Sequence, residues 1–218
     1  MSMSKKAMKR IKRYRKRKSP PPQKKHGPLY RMPFRRRREQ KTDYGQRTRL
    51  LKSGKIRVAI RPSNKALRIQ FIRSQQGGDQ TITQVLSKDL AQYGWDIATS
   101  NMPAAYLTGF LAGKRALKAD IGEAILDIGT LEALPKTRLF AALKGIVDAG
   151  VEIPYGEKMI PDEERIRGEH IANYGRLLAK EDKEKYNRYF GKYLQVNKKP
   201  EEIQTYFEET RTKIEESE

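Results

Sequence analysis

The 218 residues contain no cysteine, so neither a disulfide nor a thiolate nucleophile can form. That leaves the compartment open, since cytosolic proteins also lack cysteine. Histidine is nearly absent too. His26 and His170 are the only two, and they supply neither a ligand set for structural zinc nor a base beside a nucleophile. Long apolar runs are missing. The most apolar stretch, Met102 to Gly113, is far short of the roughly 18 residues of a membrane span and reads as a core helix. The start of the chain has no apolar core of a secretory signal. A transit peptide would also be basic and acid-free there, but Pro20-Pro21-Pro22 and the lack of an extended apolar face argue against one. The glycine pairs Gly77-Gly78 and Gly109 with Gly113 match no phosphate-loop or dinucleotide pattern.

Acid is what the first 57 residues lack. They hold 23 Lys and Arg against Glu39 and Asp43 alone, while the remainder balances 24 basic with 24 acidic residues. The whole net charge of +21 therefore sits at one terminus. Charge concentrated in this way implies that one segment meets a polyanion while the rest does something else. The length suggests one globular domain with extensions.

Composition divides the chain into a basic, disordered tail at 1–27, a basic RNA-binding segment at 28–54, an α/β core at 55–156 and a helical extension at 157–218. In the tail, Met8, Ile11 and Tyr14 share the spacing of a short helical face, and the triple proline makes a stiff connector. Arg35 to Lys52 has helical composition and a stop at Ser53-Gly54.

Ile56 to Arg61 and Leu67 to Arg73 alternate apolar and polar residues around a turn at Pro62 to Lys65, which predicts a hairpin of half-buried strands. Arg57, Arg61, Arg68 and Arg73 then fall on its outer face, which reads either as a platform for RNA or as a solvated face. A third strand runs from Thr81 to Leu86. Ser87 is expected to cap a short helix ending at Gly94. Ser100 or Asn101 caps the next helix, which has Pro103 in its first turn and runs to about Lys118. Gly109 and Gly113 are expected to let this helix lie close to a sheet. Glu123 to Gly129 reads as a short buried strand, Thr137 to Ala149 as a helix stopped by Gly150, and Val151 to Ile153 as a last strand. Beyond these, Pro161-Asp162, Glu169 to Lys180, Lys183 to Leu194 and the stretch after Pro200 read as helical, with Ile203, Tyr206, Phe207 and Ile214 on the last apolar face. The expected fold class is α/β: a mixed sheet with early antiparallel strands and helices on both faces.

That order is compatible with a ribonuclease-H-like layout, so a metal-dependent nuclease has to be weighed. Such an enzyme gathers carboxylates around two divalent ions, one usually from the first strand. Here the first strand carries Arg57 and Arg61 instead, and Asp79, Asp120 and Asp127 are scattered. Asp127 is expected to hydrogen-bond a neighbouring loop or helix end. Basic runs interleaved with Tyr30, Phe34 and Tyr44 favour structured RNA, whose loops and bulges offer unpaired bases for stacking. An anionic membrane surface or a nuclear-import signal does not explain basic residues continuing onto the sheet.

Several blocks go further. Gly27-Pro28-Leu29-Tyr30-Arg31, Arg35 to Glu39, Lys41-Thr42-Asp43-Tyr44, Gly94-Trp95, Asn101 to Gly109, Ala124 to Gly129, Lys144 to Gly150 and Gly168 to Ala172 stand in one order. Together they resemble the archaeal and eukaryotic-type branch of the large-subunit ribosomal protein family that binds 5S rRNA, numbered eighteen in the universal scheme. The resemblance covers about residues 27–215. It implies a non-catalytic protein of ribonuclease-H-like fold that anchors 5S rRNA in the central protuberance. It implies no cofactor, metal, membrane or small-molecule substrate. The RNA contacts it implies are Tyr30, Arg31, Phe34, Arg35, Arg36, Arg37, Arg38, Lys41, Tyr44, Arg47, Arg49, Lys52, Lys55, Arg57, Arg61, Asn64 and Lys65. The C-terminal helices are expected to meet 23S-type rRNA or neighbouring large-subunit proteins. Residues 1–26 are longer and more basic than the family's usual start, so no role carries over to them. A general RNA-binding chaperone is the alternative.

Overall fold

A computed structural model describes residues 27–28 and 30–218. The expectations for the tail, its helical face and its triple proline lie outside the described residues. The chain divides into two compact units with a boundary between Arg49 and Leu50. The first unit contains the short helix α1 (Arg35–Arg38) and the start of α2 (Tyr44–Lys52). The expected single helix is broken between them. Gln40 takes a positive φ of 54°, and Asp43 Oδ1 accepts from the Gln46 amide at 3.1 Å, which starts a new helix at Tyr44. The helix ends as expected, with Gly54 at φ 67° returning its amide to the Leu51 carbonyl.

The second unit opens with β1 (Arg57–Pro62), β2 (Leu67–Gln75) and β3 (Gly78–Leu86), paired antiparallel. β4 (Ile125–Asp127) adds parallel to β1, giving the order β3-β2-β1-β4 and a mixed sheet. The expected last strand is reduced to one parallel bridge between Glu123 and Glu152. Between β3 and the first long helix, Asp89–Tyr93 forms one 3₁₀ turn closed by Gly94. Ser87 does not cap it. Its hydroxyl accepts from the Leu67 amide, and Asp89 accepts from the Leu86 amide instead.

Helix α3 (Met102–Lys118) is the centre of the unit. Thirteen of its seventeen residues are buried, so it must be covered on several sides. The sheet lies against it through β2 and β3, and α4 (Arg138–Asp148), α5 (Glu163–Arg167) and α8 (Ile203–Ser217) pack elsewhere on it. Asn101 is its cap, with Oδ1 accepting from the Ala104 amide at 3.0 Å, and Pro103 occupies the first turn. Asn101→Ala is expected to cost about 1 kcal/mol, read as a lower midpoint in urea at unchanged slope.

Gly109 and Gly113 do bring α3 close to a neighbour, but the neighbour is a helix and not the sheet. A Cβ at Gly109 would overlap the Ala142 carbonyl, and one at Gly145 would overlap the Tyr106 carbonyl. Two helices that touch so closely and both contact the sheet must lie on the same side of it. Val58, Ile60, Leu67, Ile69 and Phe71 point into the helical layer and are buried. The last elements are α6 (Glu169–Glu181) and α7 (Lys183–Gln195), followed by the 3₁₀ turn Pro200–Glu202 and α8. Ile203, Phe207 and Ile214 of α8 join the core, with Tyr206 half-buried and Thr210 buried as an addition.

Candidate nucleic-acid interface

In the first unit the cations stand in the open. Tyr30, Arg31, Phe34, Arg35 to Arg38, Lys41 and Arg49 are exposed, while Tyr44 and Arg47 are half-buried. Four consecutive arginines on a helix point in directions about 100° apart, so α1 presents charge nearly all round. Arg35 Nε lies 2.8 Å from Glu39 Oε1, and Lys41 Nζ lies 2.8 Å from Glu39 Oε2. The hydrogen bond from Arg35 and then that from Lys41 hold the Glu39 carboxyl below its ordinary pKa. The acid that follows the arginines is thus ionised and occupied. Arg36 Nε donates to Thr42 Oγ1 at 2.8 Å.

Phe34 is 74% exposed, yet its ring lies 5.5 Å from that of Tyr44, tilted by 50°. A large aromatic so exposed contributes little to a core and offers a stacking face. Arg49 Nε reaches back to the Gly45 carbonyl at 3.4 Å.

In the second unit Lys52, Lys55, Asn64 and Lys65 are exposed. Lys55 pairs with Glu123. Asn64 and Lys65 form the tip of the β1–β2 turn, which is held firmly. Ser63 Oγ donates to the Ala66 carbonyl, Thr99 Oγ1 donates to the Lys65 carbonyl, and Arg138 Nη1 donates to the Ser63 carbonyl at 3.4 Å while also donating to the Ser100 carbonyl at 2.6 Å. Arg138 and Thr99 support the tip from a distant stretch of chain, so inspection of the turn itself could not find them.

Arg57 is a correction. It does not stand on an exposed outer face; its side chain is 2% exposed. β1 is a central strand, and Asp127 of β4 sits in register with Ala59, between Arg57 and Arg61 on the same face. Arg57 Nη1 donates to Asp127 Oδ2 at 3.1 Å. Its Nη2 lies 2.8 Å from Asp79 Oδ2, an ion-pair distance at which the N–H is not aligned for a hydrogen bond. Two carboxylates closing on one guanidinium make a buried cluster, and burial of that charge is tolerable only because both are there. Arg61 follows at the rim, half-buried, with Nη2 3.0 Å from Asp127 Oδ1. Asp127 also accepts from the Gly129 amide at 2.8 Å, the loop contact expected of it. Arg68, exposed opposite Arg61 on β2, continues the basic edge.

Comparison with known proteins decides what this surface belongs to. Residues 29–122 match the family described as "Ribosomal large subunit proteins 60S L5, and 50S L18". The chain is 48% identical over 192 residues to the large ribosomal subunit protein uL18 of Aeropyrum pernix, covering 88% of this chain and 90% of the relative. It belongs to the uL18 family. The uL18 of Methanothermobacter thermautotrophicus is 47% identical over 191 residues, 88% of this chain and 98% of the relative. That of Korarchaeum cryptofilum is 47% identical over 185 residues, 85% and 94% of the two chains. Family membership thus spans both the exposed basic segment and the packed α/β unit.

Proposed function

We propose that the protein is a non-catalytic constituent of the large ribosomal subunit that binds 5S rRNA and anchors it in the central protuberance, with 23S-type rRNA and neighbouring ribosomal proteins around it. The observation that carries this reading is the exposed segment from Tyr30 to Arg49, where cations surround the Phe34–Tyr44 pair, in a chain of the uL18 family. Cations supply affinity through release of counterions, and aromatic faces take unpaired bases. The turn at Asn64 and Lys65, held by Ser63 and Thr99, presents further polar and cationic groups in a fixed pose.

The mixed four-stranded sheet is compatible with the ribonuclease-H-like group of translational components. The non-enzymatic reading has its own support. Arg57 and Arg61 occupy the strand where a nuclease of that layout places a carboxylate. Both oxygens of Asp127 are taken up by arginines and a main-chain amide.

The test is binding of the full-length protein to a 5S rRNA transcript and to an unrelated folded RNA of equal length. The expected ratio of affinities is on the order of a hundredfold or more, and the RNA stays intact with Mg²⁺ or Mn²⁺. Equal affinity for both RNAs would mean a general chaperone. Metal-dependent cleavage that Asp127→Asn abolishes would mean a nuclease.

A further inference from the structure

We infer that Asp127 is a positioning residue: it holds the Arg61 guanidinium in one pose, with one edge left to take a phosphodiester of the bound RNA. The inference rests on the RNA-binding reading above and adds to it a residue, an edge and a ligand group.

The guanidinium of Arg61 has five N–H groups in a fixed plane: two on Nη1, two on Nη2 and one on Nε. Nη1 donates to the main-chain carbonyl of Asp127 and to that of Ile60. Nη2 donates to Asp127 Oδ1 at 3.0 Å. The end of the fork therefore grips Asp127 at two points, one main-chain and one side-chain. What remains, among the described residues, is the Nε–H and the second N–H of Nη2, which lie parallel along one side of the plane. Two parallel donors match two oxygens of a phosphate. The side chain is 39% exposed, so it is not closed off by the sheet that holds it.

The grip itself is fixed from below. Arg57 takes Asp127 Oδ2, and the Gly129 amide takes Oδ1 at 2.8 Å, so the carboxylate cannot turn away. Gly129 completes the seat. It has φ 61°, and a Cβ there would lie 3.2 Å from Arg61 Nη2 and 3.3 Å from Cζ, so the guanidinium lies directly over the glycine. A long surface arginine normally loses rotamer freedom when it meets a ligand; here that freedom is lost on folding. Arg68 directly across the strand pair and Lys65 at the turn make an anion the preferred occupant over a neutral base edge.

The experiment measures affinity of the full chain for a 5S rRNA transcript over a range of salt, for wild type, Arg61→Gln, Gly129→Ala and the double variant. Arg61→Gln is expected to weaken binding about tenfold and to lower the log–log salt slope by about 0.7–0.9, one phosphate. Gly129→Ala, which removes no charge, is expected to weaken binding because its methyl crowds the Arg61 guanidinium and shifts it from its seat. The double variant is expected to be no weaker than Arg61→Gln. Since alanine is strained at this φ, Gly129→Asn is the second variant, because asparagine tolerates the left-handed region and still brings a Cβ. Additive losses, unchanged binding in both glycine variants, or loss in Arg61→Gln at unchanged slope would each overturn the assignment. A wild type that does not select 5S rRNA would instead overturn the broader reading.

Discussion

Glutamine at all four of Arg35, Arg36, Arg37 and Arg38 is expected to weaken binding to 5S rRNA by two to three orders of magnitude near 0.1 M salt, and to flatten its salt dependence. Every phosphate that is no longer neutralised lowers the log–log slope by about 0.7–0.9, so four phosphates correspond to a fall of roughly 3. The geometry sharpens this. α1 spreads its guanidinium groups around the helix, and a flat RNA surface can meet only about half of them. A fall near 3 therefore means that RNA wraps the segment, and a fall of roughly half that means that it passes along one side. Arg35 and Arg36 already hold Glu39 and Thr42, which pre-orients them. An unchanged slope would show that the arginines face solvent in the complex. Circular dichroism should not change, because no residue of α1 is buried.

The second large effect is on stability. Gly145→Ala places a methyl group on the Tyr106 carbonyl of α3. A side chain can swing aside, but a helix backbone cannot, so α3 and α4 must part along their whole contact. The expected loss is about 3 kcal/mol or more, seen as a fall in Tm on the order of 10 °C. Gly122→Ala serves as the control, because its Cβ would meet nothing within 4 Å; it is expected to stay within about 0.5 kcal/mol of wild type. Equal stability of the two variants would show that the helices are not held so closely in solution.

Local signals were the legible ones. The cap, Asn101 of the two candidates Ser100 and Asn101, with Pro103 behind it, the stop at Gly150 and the apolar face of α8 each depend on residues within one or two turns of chain, and each stands where local sequence signals put it. The antiparallel strands were legible for the same reason. Face and neighbour were not. Alternation in β1 is compatible with an outward Arg57, and only the arrival of β4, far along the chain, turns that face into a buried ion cluster. The spacing of Gly109 and Gly113 says that something comes close without saying whether it is strand or helix. In the candidate site, residue types pointed to the exposed segment directly, while Arg138, Thr99 and Gly129 emerged only once distant loops were brought together.

The buried cluster has a consequence for how the sheet assembles during synthesis. Asp79 lies in the hairpin next to β1, but Asp127 lies 70 residues beyond Arg57. A nascent chain that has emerged only through β3 holds Arg57 with one carboxylate, and the unmatched half of that charge favours solvent over burial. Docking of β4 removes the conflict and also delivers the carbonyl and Oδ1 that seize Arg61. The edge strand thus completes the seat of one arginine: until it arrives, Asp127 is absent and Arg61 lacks the two contacts that fix its pose.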